Sequence, residues 1–238
     1  MLMDGVPVRV DAHSHVKFDL DAGELTTGFF SIRMKNGRKS CLKILYSEGY
    51  EQVTRLADGR TEHKKKRRSD WKNGELYGLG DEYEPAGYEN GKIEEYQPFW
   101  FRTFRYVHVD IRTGEEPLYI CGIDYLETGY PLEVKTKIDC ADETMNQIWD
   151  ISLRSLKRCM HETYEDCPFY EQMQYLMDSR SQILYTYSVS MDDRMARKCM
   201  NDFKRSIHYD GTLNASYPRN SYSVIPGFSI YYILMLYD

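Results

Sequence analysis

Two hydrophobic periods divide the chain. From Val6 to about Lys137 apolar residues alternate with polar ones, the pattern of strands with one buried face. Phe29, Phe30, Ile32 and Met34 lead into Asn36-Gly37, two residues that tolerate positive φ, and Cys41, Leu42, Ile44 and Leu45 follow, so a hairpin is predicted. A second hairpin is predicted where the β-rich run Trp100–Ile111 meets Thr113-Gly114 and Leu118–Ile123 returns. Residues 57–95 are rich in Gly, Asp, Glu and Lys, with few apolar anchors, and read as loops with one hairpin. Several strands without intervening amphipathic helices imply an antiparallel β-sandwich.

At Asp142 the period changes to about 3.6 residues. Asp142 is a candidate N-cap, and Met145, Ile148, Trp149, Ser152, Leu156, Cys159 and Met160 share one face, which predicts a core-facing helix. A second helix from about Asp178 would turn Ile183, Tyr187 and Met191 inward. A third, capped by Asp192 or Asp193, would bury Met195, Ala196, Cys199, Met200, Phe203 and Ile207, and Asp210-Gly211 would stop it. Ile225-Pro226 opens a fourth, carrying Phe228, Ile230, Tyr231, Ile233, Leu234 and Leu236 to the last residues with no C-cap glycine, so a large apolar face is expected to stay uncovered. The domains are therefore drawn as 1–137, an antiparallel β-sandwich, and 138–238, a helical domain that reads as truncated.

Length and charge narrow the functions. At 238 residues there is room for two modest domains with real cores. The net charge of −6 argues against a general nucleic-acid binder, and the basic run from His63 to Arg68 reads as a solvated loop. Six cysteines, with no CxxC pair, suggest reduced thiols rather than a zinc site or a disulfide framework. The first ten residues lack a signal-peptide pattern and no run approaches the roughly 20 apolar residues of a membrane span, so a soluble, cytoplasmic chain without membrane contact is expected. His13 and His15 form an HxH pair after a strand, as metal-dependent hydrolases use, but the following hundred residues lack the alternating helices such a barrel needs.

The chemistry concentrates in Asp166–Asp178, DCPFYEQMQYLMD. Asp166 precedes Cys167-Pro168, a helix or turn start. Glu171 and Asp178 are seven apart, two turns if the segment is helical, and in a loop they could still meet in one pocket. Tyr164, Phe169, Tyr170 and Tyr175 surround them. Acids bond sugar hydroxyls, rings cover apolar sugar faces, and a desolvated Glu has its pKa raised toward that of a general acid. The same pattern also fits a capping Asp, a surface Glu and a helix Asp in a solvated row.

The motif resembles the signature of the bacterial α-L-rhamnosidases, inverting glycoside hydrolases with a six-hairpin α/α barrel behind β-sandwich domains. Gly129-Tyr130-Pro131, Phe101–Val107, Tyr46-Ser47-Glu48 and Ile225–Ser229 resemble that family in order and spacing. The resemblance implies that Glu171 is the general acid, that Asp166 and Asp178 hold rhamnose hydroxyls, and that Tyr175 lies beside the sugar. Met177 replaces a small residue, which would narrow the pocket. The implied fold is a β-sandwich followed by a partial barrel, the implied partner a rhamnose-containing glycoside, and no metal or organic cofactor is called for. An inverting reaction also needs a base about 6.5–9.5 Å from the acid. The resemblance puts that base on a later hairpin, so this chain is expected to be a piece of the enzyme and inactive alone. The rival readings are a non-catalytic carbohydrate-binding protein and, behind it, a hydrolase built on His13 and His15. Self-association through the uncovered C-terminal helices is the further expectation.

Overall fold

The computed structural model describes residues 6–88 and 90–238, so the first five residues of the expected sandwich domain lie outside the described residues. It contains two compact units, one ending at Thr128 and the other Gly129–Asp238. Antiparallel sheets build the first and four helices the second. No helix among the described residues is long and apolar enough to cross a membrane.

The β-rich unit runs β1 (Val8–Val10), β2 (His15–Asn36), β3 (Cys41–Ser47), β4 (Tyr50–Arg55), β5 (Thr61–Lys64), β6 (Glu75–Leu76), β7 (Leu79–Tyr83), β8 (Glu94–Tyr96), β9 (Arg102–Arg112) and β10 (Leu118–Glu127). Its larger sheet has the order β1-β10-β2-β9-β3-β7, with β8 also on β2, and β5-β4-β6 form a small second sheet. The long β2 organises the unit. Its first part, His15–Gly28, pairs with β9, and its second part, Gly28–Asn36, pairs with β10. Gly28 fits at the changeover because an added Cβ would lie 2.7 Å from the Leu126 carbonyl oxygen.

Both predicted hairpins are corrected. The turns exist, with Asn36 at φ 59° and Gly37 at φ 77°, but β9 lies between β2 and β3, and β2 lies between β9 and β10. A turn signal fixes a local reversal, whereas the pairing partner is chosen by which apolar faces meet. The two turns instead lie against each other: a Cβ on Gly114 would sit 2.8 Å from the Lys39 carbonyl oxygen, and Lys39 Nζ pairs with Glu115 at 3.1 Å. Residues 57–95 also hold more strand than expected, β5 to β8, all short and mostly exposed, formed by backbone pairing rather than by apolar anchors.

The core of this unit is closed. Phe30, Ile32, Met34, Leu42, Val109, Ile111 and Leu118 are fully buried, each contributing on the order of 1.5–3 kcal/mol. Phe30 packs edge-on against Tyr46 and Phe104, with ring centroids 5.9 and 6.4 Å away.

The helical unit contains α1 (Glu143–Arg158), α2 (Leu176–Val189), α3 (Arg194–Lys204) and α4 (Pro226–Tyr237). Asp142 caps α1 by accepting from Thr144 N–H at 2.9 Å, worth about 1 kcal/mol. Asp193 occupies the N-cap position of α3 without a side-chain cap bond, and it is Asp192 that accepts from Arg194 N–H at 3.1 Å. Leu156, Met160, Tyr164, Leu176, Ile183, Met195, Ala196, Cys199, Phe203 and Met235 form the core. The expected α1 stripe is only half buried: Met145 and Ile148 are exposed, and within the helix Leu156 alone is buried. Its first turns are covered in part only, by Asn146, which bonds the Cys140 backbone at 3.2 and 2.9 Å, and by Trp149, which packs against the core. Met191 and Ile207 are exposed too, because α2 and α3 end before reaching them.

Candidate active site

The sequence motif occupies the loop before α2 and the first turn of that helix. Asp166 ties the loop closed: its N–H donates to the Met173 carbonyl at 2.9 Å, and its Oδ1 accepts from Met173 N–H at 3.1 Å. Between them Gln172 takes a left-handed conformation, φ 51°, while its amide Nε2 donates to the Pro168 carbonyl at 2.8 Å. The far end is held by a second strand-like segment. Leu176 N–H donates to Ala215, Tyr217 N–H donates to Gln174, and Gln174 Nε2 returns to the Tyr217 carbonyl at 2.9 Å. Tyr175, bridged to Ser216, is the residue from which α2 starts.

This geometry brings Asp166, Cys167 and Glu171 together, with one ligand-type atom of each within 4.8 Å of the others. The Cys167 thiol donates to Glu171 Oε2 at 2.8 Å and accepts from Glu171 N–H at 3.3 Å. Phe169 is buried and packs edge-on against Tyr170, which is half exposed. Asp178 lies exposed in the first turn of α2, Met177 beside it is 40% exposed, and Tyr175 is half-buried. Because α2 begins only at Leu176, Glu171 and Asp178 do not share a two-turn helical face.

The electrostatics divide the acids. Burial pushes the Asp166 carboxyl above its ordinary range, against the bonds from Met173 and Cys167. Glu171 moves the other way: the Cys167 thiol bond holds its carboxyl below the usual glutamate value, with almost no burial to oppose it. The expectation of a desolvated Glu171 is thus corrected in this structure, where the group is exposed to solvent. Cys167 is pushed up to about 11 by burial and the neighbouring carboxylate, so it is a neutral donor at pH 7.

Sequence reasoning missed the residue before the motif. Glu165 is buried, and its Oε1 lies 3.2 Å from His161 Nδ1. Burial raises its pKa, and His161 only partly offsets this. Gln182 of α2 donates to the Glu165 carbonyl at 2.6 Å, fastening the loop from below. The i,i+4 spacing of His161 and Glu165 was the available signal. His13 and His15 join no three-ligand group among the described residues, and His15 pairs with Asp110 at 2.9 Å.

Residues 133–234 match the family described as the bacterial alpha-L-rhamnosidase 6 hairpin glycosidase domain, a stretch that contains the whole motif. The helical unit is similar to this rhamnosidase family. The fold of the chain agrees. It is similar to the rhamnosidase of Bacillus sp. GL1, with 22% identity and TM-score 0.70 over 96% of this chain and 22% of that one. It is similar also to the rhamnosidase from Klebsiella oxytoca with rhamnose bound, with 18% identity and TM-score 0.67 over 96% of this chain and 44% of that one. A third likeness is to the alpha-L-rhamnosidase from Dictyoglumus thermophilum, with 19% identity and TM-score 0.65 over 98% of this chain and 26% of that one. The chain therefore spans less than half the length of these structures. No curated protein matches it. Within the helical unit the motif lies on one short loop and one helix start, tied by the Asp166–Met173 bonds at one end and by the segment Ala215–Tyr217 at the other.

Proposed function

We propose that this chain carries the acid side of an inverting α-L-rhamnosidase. The observation that carries the reading is the family match over residues 133–234, because that stretch contains the gathered carboxyls of Asp166 and Glu171. Glu171 would protonate the leaving glycosidic oxygen. Asp166 and Asp178 would accept hydrogen bonds from rhamnose hydroxyls, and Tyr175 would cover an apolar face of the ring. The base that activates water is assigned to none of these residues. In the same reading residues 1–137 form a β-sandwich, supported by the change of partners along β2, and residues 138–238 form the first hairpins of an α/α barrel.

In the free protein Glu171 is exposed and held ionised, so it becomes an acid only once a bound sugar excludes water and weakens the Cys167 bond. That same observation favours a second reading, a protein that binds rhamnosides without cleaving them. The test is to incubate the chain with an aryl α-L-rhamnoside and to measure L-rhamnose affinity by calorimetry. Affinity that falls tenfold or more in Asp166→Asn supports the site, and turnover abolished by Glu171→Gln would show that the chain carries its own base. Rhamnose affinity untouched by changes at Asp166, Glu171 and Asp178 would overturn the proposal.

A further inference from the structure

The β-rich unit has a hollow of its own. Its volume is about 430 Å³, within the range of small-molecule sites, and it is lined by Asp19, Asp21, Tyr50, Trp71, Arg105 and Tyr106, among others. We propose that this hollow is a second carbohydrate site, which takes one neutral pyranose unit and is independent of the acids of the motif.

Its walls are aromatic. Tyr50 and Tyr106 are buried and meet edge-to-face, with centroids 4.9 Å apart, so their positions are fixed before any ligand arrives. Trp71 is the contrast: its side is 67% exposed, although Lys72 Nζ lies 5.4 Å from the ring centroid. A large ring left open beside a hollow supplies the platform that the C–H face of a sugar packs on.

Its polar groups are paired. Arg105 forks onto Asp21 with bonds of 3.0 and 3.2 Å, and Gly23 N–H also donates to Asp21 at 2.8 Å. Asp19 accepts from the Tyr50 hydroxyl and pairs with His108 Nδ1 at 2.6 Å. Each carboxylate therefore has a cationic or hydrogen-bonding partner, which leaves no uncompensated charge to select an ion. What remains is a set of fixed donors and acceptors beside rings, suited to an uncharged ligand that carries both hydroxyls and an apolar face.

The loop bearing Trp71 is built to stay in place. Arg68, the last residue of the basic run, is no solvated charge: its Nη1 donates to the buried Glu51 at 2.8 Å. Tyr50 N–H donates to the Arg68 carbonyl at 2.9 Å, and Gly74 N–H to the Asp70 carbonyl at 2.9 Å. Gly49 and Gly74 allow this approach, since a Cβ on either would fall within 2.9 Å of Arg68 or of Tyr50 and Asp70. Asp19 and Asp21 are offered from β2 just before its register shift against β9.

The experiment uses the 238-residue chain. The three tryptophan indole N–H signals are followed by NMR while methyl glycosides of L-rhamnose, D-galactose, D-glucose and D-mannose are added separately, to about 50 mM, enough to reveal millimolar affinity. The expected result is a saturable shift of the Trp71 signal with at least one of them. Affinity for that sugar read from the Trp71 signal should fall at least tenfold in Arg105→Gln, and its calorimetric affinity should fall at least tenfold in Trp71→Ala. No saturable Trp71 shift with any of the four overturns the inference. So does affinity that survives Trp71→Ala but is lost in Asp166→Asn, an outcome that would leave the proposed rhamnosidase site standing.

Discussion

The two units bury their apolar residues to different degrees. The β-rich unit encloses a core in which Phe30, Ile32, Leu42, Ile44 and Ile111 are at most 1% exposed. The helical unit has a core as well, around Leu176, Ile183 and Phe203, yet α1 and α4 still present Met145, Ile148, Ile151, Ile230, Ile233 and Leu236 to solvent. A strand shared between two partners closes its surroundings on itself. Helices contacting one another in pairs cover only one stripe each, and a helix that is apolar all round, as α4 is, asks for cover on every side. The loop that carries the motif lies in the less covered unit, so its geometry depends on hydrogen bonds more than on an enclosing core.

The largest effect should come from the closed core. Phe104→Ala removes a fully buried ring that meets Phe30, Tyr46 and Tyr125, and should cost about 3–5 kcal/mol in urea unfolding followed by strand circular dichroism. A loss under about 1 kcal/mol would show that this core is not the packed body described. Next comes Arg68→Ala, which leaves Glu51 buried without its guanidinium partner. It should destabilise the β-rich unit by about 3 kcal/mol. A neutral result would show that the Arg68–Glu51 pair holds nothing together.

In the helical unit Glu165 supplies a pH test. Its folded-state pKa is raised, so the stability it contributes is present below the ordinary glutamate range and is lost as pH rises through the raised value. Thermal melts of Glu165→Gln should therefore show a flatter decline over that interval than the natural chain, and an unchanged decline would remove Glu165 as its source. Least costly of all should be Ile230→Ser with Ile233→Ser. Both side chains are more than 60% exposed, and each change should cost no more than about 0.5 kcal/mol. The pair should, however, lower any concentration-dependent association seen by sedimentation; equal association in both proteins would mean that α4 does not mediate it.

The sequence was most readable where structure is decided locally. Asp142 caps α1, Pro226 opens α4, and Asn36-Gly37 turns with positive φ, because each effect acts within a few residues. Strand pairing was not readable, since Cys41–Ser47 chose β9 over its sequence neighbour β2 through faces set by residues about seventy positions away. The same limit hid Arg68, a turn residue whose partner Glu51 lies on β4, and Trp71, which matters only once Tyr50 and Tyr106 are beside it. At the motif, residue types pointed to Asp166 and Glu171, but their chemistry is set by burial and by Cys167, which spacing does not disclose.

The most direct test of the account is the carboxyl titration of Glu171, read by carbon NMR in the free chain and again in saturating L-rhamnose. The account predicts a value below that of an ordinary glutamate, about 4.3, in the free protein, and a clear rise when the sugar displaces water from the loop. A Glu171 titration that ignores saturating rhamnose would contradict the assignment of this loop as the acid-bearing sugar site.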